Sequence, residues 1–190
     1  TPNNSDGKYR GLVSMKKALA NSINTVSARL IHEVGAPAVV EMAKNLGVTS
    51  NIPNRPAIAL GAVEITVQEM VAAFSTFANE GVYIKPQLIT KIEDKNGVVI
   101  YQGVEESHDV VNKDVAYSVI KLMEGVTESG TGSRLRWAAS APSNFLTGVP
   151  YNIKGPVAGK TGTSQNNSDG WFIGMVPNLA AGVWVGNEDR

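Results

Sequence analysis

The sequence predicts an α+β fold in which helices pack on an antiparallel sheet. Two observations carry that expectation. Apolar segments with helical spacing and capping signals gather in the first two thirds of the chain, whereas a strand hairpin closes it. Glycines at 47, 81 and 130 also sit where C-terminal helix stops fall.

The opening Thr1-Pro2-Asn3-Asn4-Ser5-Asp6-Gly7 is polar and turn-rich, as an interior loop is. A helix over 14–22 follows, with Ser14 as N-cap and Val13 as hydrophobic staple. Ser22 and Asn24 are two residues apart, so one continuous helix would turn them about 200° from each other. For both to face one cleft the helix must break between them. Asn24 suits the N-cap of a second helix, over 25–34, that ends at Gly35. Further helices are predicted at 36–46, 66–80 and 112–128. Gln87–Glu93 and Val98–Tyr101 read as a hairpin through Asp94-Lys95-Asn96-Gly97, where Asn-Gly favours a tight turn. Arg134–Pro156 is turn-rich and predicts a surface excursion before a core strand at Lys160. Trp171–Val176 and Leu179–Gly186 then predict two strands joined at Pro177-Asn178.

Composition excludes more than it identifies. The 190 residues suffice for one domain with a sizeable core. Seventeen basic and seventeen acidic residues cancel, which favours neither nucleic acid nor an anionic surface as partner. No apolar run approaches the roughly 20 residues of a membrane span, and no signal peptide stands at the start. The chain has no cysteine, which removes disulfides and thiol-ligated zinc. No internal repeat or low-complexity tract is present.

The most specific segment is Gly159-Lys160-Thr161-Gly162-Thr163-Ser164. Extended backbone sends alternate side chains to opposite faces. Lys160 therefore points one way and Thr161 and Thr163 the other, and Gly162 leaves the strand bare on the Lys160 side. A bare strand edge can take up a peptide as an additional strand. The two threonine hydroxyls can then hydrogen-bond a terminal carboxylate while the ammonium supplies positive charge. The competing reading is an ordinary strand with a glycine at a close packing point.

Lys-Thr-Gly is a motif of penicillin-binding proteins and class A β-lactamases. A second segment agrees: Ala18–Leu30, containing Ser22-Ile23-Asn24, resembles the Ser-x-Asn region of the penicillin-binding transpeptidases. It looks like the bifunctional class A type, which joins a glycan polymerase to a transpeptidase. Gly61–Gly81 resembles that family's helix and glycine stop between the two motifs. Ser129-Gly130-Thr131-Gly132 is similar to its Gly-Thr-Gly stretch, and the pair Asp169 and Trp171 fits as well. The resemblance covers nearly the whole chain.

The resemblance implies a penicillin-binding/β-lactamase-like fold, incomplete at both ends. Residues 1–190 are expected to form the C-terminal part of a transpeptidase domain, helical over about 12–130 and sheet over about 155–187. The acylated serine of these enzymes lies in Ser-x-x-Lys, well upstream of Ser-x-Asn. Here only Ser14-Met15-Lys16-Lys17 spells that pattern in a plausible place, and it lies too close to Ser22 to form a separate nucleophile helix. Ser14 is therefore read as a helix cap, and the nucleophile is expected in an N-terminal part of the same protein. In such enzymes Ser22 and Lys160 share a proton relay and Asn24 positions the substrate amide. Thr161, Gly162 and Thr163 bind the substrate end, with the Thr163 N–H as an oxyanion donor. The implied partners are peptidoglycan stem peptides and β-lactam antibiotics, with no cofactor and no metal. The implied location is the bacterial cell envelope, on the outer face of the cytoplasmic membrane, with attachment only through the missing N-terminal anchor. Two alternatives stand beside this reading: a noncatalytic peptidoglycan-binding module, and a β-lactamase-like hydrolase.

Other candidates carry less. His32 falls in a helical stretch and His108 in an acidic, polar loop, with no identifiable serine and carboxylate partners for a triad. Ser129–Ser133 has glycines but neither a preceding strand nor a closing lysine for a phosphate cradle, and reads as a helix C-terminal turn. Asn3-Asn4-Ser5 and Asn166-Asn167-Ser168 match the glycosylation triplet, which carries no weight in a bacterial protein. Glu105-Glu106 reads as solvated loop charge.

Overall fold

Ser14 opens the first helix, α1 (Met15–Ala20), its hydroxyl accepting from the Lys17 N–H at 3.3 Å. The fold described here is a computed structural model covering residues 2–137, 152–164 and 168–186. Helix α1 stops short of residue 22 because Asn21 caps it and Ser22 enters the left-handed region at φ 50°. That conformation is unfavourable for a residue with a Cβ. It makes the break that the spacing of Ser22 and Asn24 demands. Helix α2 (Asn24–Val34) begins one residue earlier than predicted. Asn24 is not its N-cap: Ile23 is, with no side-chain bond, and its carbonyl receives the N–H groups of Val26 and Ser27. Burial of the Ile23 side chain holds the chain at this point, which frees the Asn24 amide to donate to the Asn3 carbonyl at 2.8 Å.

Helix α3 (Ala36–Asn45) follows Gly35, and Pro37 suits its first turn. Helix α4 (Val67–Ala78) starts with a capping box between Thr66 and Glu69. The Glu69 carboxylate also accepts from the N–H and hydroxyl groups of Thr49 and Ser50, at 2.7 to 2.8 Å. Burial pushes this carboxyl up, but the hydrogen bonds, Ser50 first, together hold it well below the usual carboxylate range. One side chain thus ties the start of α4 to the loop after α3.

The middle of the chain is less regular than predicted. Short strands β1 (Val82–Ile84), β2 (Lys91–Glu93), β3 (Val99–Gln102) and β4 (Ser107–Asp109) form two antiparallel pairs, β1 with β4 and β2 with β3. Residues 87–90 do not join β2. Pro86 precedes them, and the Gln87 side chain bonds to the Val104 carbonyl instead of a ladder forming. The hairpin turn is wider than a two-residue Asn-Gly loop, because the Asp94 carboxylate accepts from both Asn96 and Val98. His108 lies on β4 rather than in a loop, its ring against Tyr83 and its Nε2 2.9 Å from the Asn45 carbonyl.

Helix α5 (Lys113–Glu128), capped by Asn112, is the hub of the molecule. It packs on α1, on α4 and on the sheet of β5 (Ala158–Thr163), β6 (Asp169–Val176) and β7 (Leu179–Gly186). The sheet order is β5-β6-β7, all antiparallel, so β5 and β7 are edge strands among the described residues. Buried Met123 of α5 meets Ala158 and Met175, with Leu19, Phe74, Phe77 and Val119 around them. Thr127, buried near the end of α5, donates to the Val157 carbonyl at 2.6 Å and so fixes where β5 begins. Of the predicted excursion at 134–156, Ser133–Arg136 form a 3₁₀ turn, and Arg136 donates to the Thr127 and Gly155 carbonyls. Residues 138–151 lie outside the described residues.

Gly130 is not a left-handed helix stop. The C-cap of α5 is Ser129, and Gly130 is absent from the glycines with positive φ, unlike Gly47 and Gly81. Its lack of a side chain serves a close approach. A Cβ there would stand 2.1 Å from the Ala20 carbonyl oxygen, which instead receives the Thr131 N–H at 3.0 Å. Gly130→Ala should therefore destabilise the fold by about 1–3 kcal/mol in urea titration, as overpacking against backbone does. Gly11→Ala, with nothing within 4 Å of the added methyl, should change it by no more than about 0.5 kcal/mol. Equal stabilities for the two variants would contradict this contact.

Candidate active site

The close approach at Gly130 brings the ends of α1 and α5 together; α5 packs on β5, and residues just past each helix, Ser22 and Thr131, reach that strand. Lys160, third on that strand, sends its Nζ to the Ser22 Oγ at 2.9 Å and to the Thr161 carbonyl at 2.8 Å. Ser22 is held there by its left-handed backbone between the two helices. The two motif residues predicted to meet across the molecule are thus in direct contact, although 138 positions apart.

Burial lowers the Lys160 pKa from the usual lysine value, because desolvation disfavours the ammonium. Among the described residues no carboxylate lies at ion-pair distance from it. Its polar neighbours are a hydroxyl and a carbonyl. An amine in this setting is suited to passing a proton to or from a neighbouring hydroxyl.

Thr161 places its hydroxyl 2.6 Å from the Thr131 hydroxyl, in the loop after α5. Thr163 is exposed at the end of β5. Gly162 pairs with Trp171, and a Cβ on it would come within 3.0 Å of the Trp171 Cβ. The bare space read beside Gly162 is therefore partly filled by that indole, so the close-packing reading of this glycine also holds. Asn24 makes no hydrogen bond to Lys160 or Ser22 among the described residues; its amide donates to the Asn3 carbonyl. The β5–β6 end is closed by Ser164, whose hydroxyl receives the Asp169 N–H at 2.9 Å, while the Asp169 carboxylate accepts from Trp184 Nε1 at 3.0 Å. Sequence reasoning left Thr131 without a role. Its signal was the Gly-Thr-Gly stretch itself, which carries a hydroxyl between two residues without side chains.

Among the described residues no cluster of histidine, aspartate and glutamate could hold a metal ion, and no helix is long and apolar enough to cross a membrane.

Residues 2–187 match the family described as the penicillin binding protein transpeptidase domain. The chain belongs to that family. Its relatives include penicillin-binding protein 1A of Aquifex aeolicus, 37% identical over 98% of this chain and 24% of that protein. Penicillin-binding protein 1A of Neisseria meningitidis serogroup B is 32% identical over 98% of the chain and 22% of its own length. The chain thus spans about a quarter of these curated relatives. The crystal structure of penicillin-binding protein 1A from Haemophilus influenzae superposes with a TM-score of 0.85 at 23% identity, over 99% of this chain and 32% of that one, and shows the shared fold. PonA1 from Mycobacterium tuberculosis, solved in complex with penicillin V, gives a TM-score of 0.77 at 28% identity, over 97% and 50% of the two chains. The predicted α+β class and the resemblance to penicillin-binding transpeptidases of class A are both met.

For a lysine whose folded pKa is lowered, the cost of the buried charge is present at neutral pH and fades as pH rises past the folded value. Lys160→Met removes that cost together with two hydrogen bonds, so at pH 7 it should lose no more than about 1 kcal/mol, or about 2–4 °C in melting temperature. A loss above about 3 kcal/mol would instead reveal an anionic partner.

Proposed function

We propose that this chain supplies the substrate side of a serine D,D-transpeptidase, within a longer penicillin-binding protein whose acylated serine lies outside residues 1–190. The observation that carries the reading is the Lys160–Ser22 contact beside β5, an edge strand among the described residues. A peptide end laid along that strand meets the amine–hydroxyl pair of Lys160 and Ser22 and the hydroxyls of Thr161 and Thr163.

The chemistry follows from these positions. The hydroxyl of the nucleophilic serine outside residues 1–190 attacks the amide carbonyl of a terminal D-alanyl-D-alanine, and an ester on that serine forms as the C–N bond breaks. Ser22 and Lys160 carry a proton to the departing amine, and the last D-alanine leaves. Lys160 is suited to this by its contact with Ser22 and by burial, which lowers its pKa from the usual lysine value. The amine of a neighbouring stem peptide then attacks the ester, forms the cross-linking amide and releases the serine. Thr161 and Thr163 hold the substrate carboxylate, charge-assisted bonds being the strong ones. The Thr163 N–H supports the oxyanion. Asn24 takes the substrate amide, which requires its side chain to exchange the Asn3 carbonyl for the ligand. β-Lactams enter as mimics of the same terminus. On this reading the parent protein works in the bacterial envelope, at the outer face of the cytoplasmic membrane.

Labelling the intact protein with fluorescent penicillin, followed by peptide mapping of the adduct, tests this directly. A single acylated serine outside residues 1–190 is expected, and Ser22→Ala should slow acylation by about 10²–10⁴-fold. An adduct on Ser14, or none at all on folded protein, would replace the enzyme with a different site or with a binding module.

A further inference from the structure

The loop after α5 holds no phosphate cradle, yet its one threonine reaches across to the strand that carries the lysine motif. Three successive backbone N–H groups fix this loop. Thr131 donates to the Ala20 carbonyl at 3.0 Å, Gly132 to Val126 at 2.9 Å, and Ser133 to Gly130 at 3.1 Å. Gly130 cannot shift outward without losing the Ala20 contact, and a Cβ on Gly132 would stand 3.3 Å from Val126 and 3.5 Å from Phe172. The backbone on both sides of Thr131 is therefore set by packing. Its hydroxyl lies 2.6 Å from that of Thr161, a short separation for two hydroxyls.

Hydrogen-bond inventory gives this pair a direction. Each hydroxyl has one proton to donate and can accept from two others, whereas a carboxylate only accepts. A carboxylate bound at Thr161 obliges Thr161 to donate to it, so Thr161 must accept from Thr131. The hydroxyls then form a short chain that ends on the anion, and each bond in such a chain polarises the next. A neutral acceptor draws less from it, since charge-assisted bonds are about twice as strong as neutral ones.

We propose that Thr131 is a positioning residue that favours substrates with a free terminal carboxylate. It acts by donating to the Thr161 hydroxyl and turning the Thr161 proton toward the ligand. This inference rests on the carboxylate role assigned to Thr161 in the function proposed above.

The test compares acylation of the intact protein by a penicillin with a free carboxylate and by its methyl ester, as second-order rate constants. Thr131→Val, which keeps the shape and removes the hydroxyl, should lower the acid-to-ester rate ratio by about tenfold. Thr131→Ser, which keeps the hydroxyl, should restore the ratio to within about twofold. Thr161→Val serves as the benchmark and should lower the ratio at least as far. If Thr131→Val slows both compounds equally, or Thr131→Ser fails to restore the ratio while Thr161→Val lowers it, Thr131 is merely structural and the inference is overturned. If Thr161→Val itself leaves the ratio unchanged, the carboxylate site is misplaced and the function proposed above falls with it.

Discussion

The Ala20 carbonyl occupies the space a side chain at residue 130 would need, and the geometry of the site depends on that contact. It lets the end of α1 and the loop after α5 lie against each other, backbone to backbone. Small residues make the approach possible: Ala18 and Ala20 are buried on α1, and Gly125 of α5 faces Lys16 and Ala20. From this junction two hydroxyls reach the edge strand, Ser22 to Lys160 and Thr131 to Thr161. Thr127 fixes the start of that same strand from one turn earlier on α5. A shift of α1 along α5 would move both hydroxyl contacts at once.

Two features of the site cost stability and are held by the packing around them. Ser22 adopts φ 50°, which non-glycine residues rarely take and which is found where surrounding structure enforces it. Lys160 is desolvated with only neutral partners among the described residues, so folding works against its charge. Neither arises from local preference. The buried Ile23 next to one and the core pair Ala158 and Met175 behind the other supply the restraint. A hydroxyl held beside an amine whose pKa burial lowers is a combination suited to proton transfer to a leaving group.

Much of this was legible from residues alone. The helices were legible through helical spacing and, for the first, the cap Ser14, and the strands from Trp171 to Gly186 through the Pro177-Asn178 turn. The lysine motif and Ser-x-Asn were readable because their chemistry sits in consecutive or nearly consecutive residues. What escaped depends on contacts distant in sequence. Asn24 looked like a cap because its residue type favours one, but burial of Ile23 decided where the helix began. Gly130 looked like a helix stop, and only the neighbouring helix reveals the close approach. The three-residue strands β1 and β4 lack enough length for a period, and Glu69 unites residues 19 and 20 positions away. Thr131 had no visible partner until the strand 30 residues later was in place.

The proposed site depends on the residues just past α1 and α5 converging on β5, Ser22 at Lys160 and Thr131 at Thr161. A crystal structure of the intact protein acylated by a penicillin measures it most directly. The antibiotic carboxylate is expected within hydrogen-bond distance of the Thr161 and Thr163 hydroxyls, with Lys160 still in contact with Ser22. A carboxylate bound elsewhere, or a Lys160 turned away from Ser22 in the acylated protein, would contradict it.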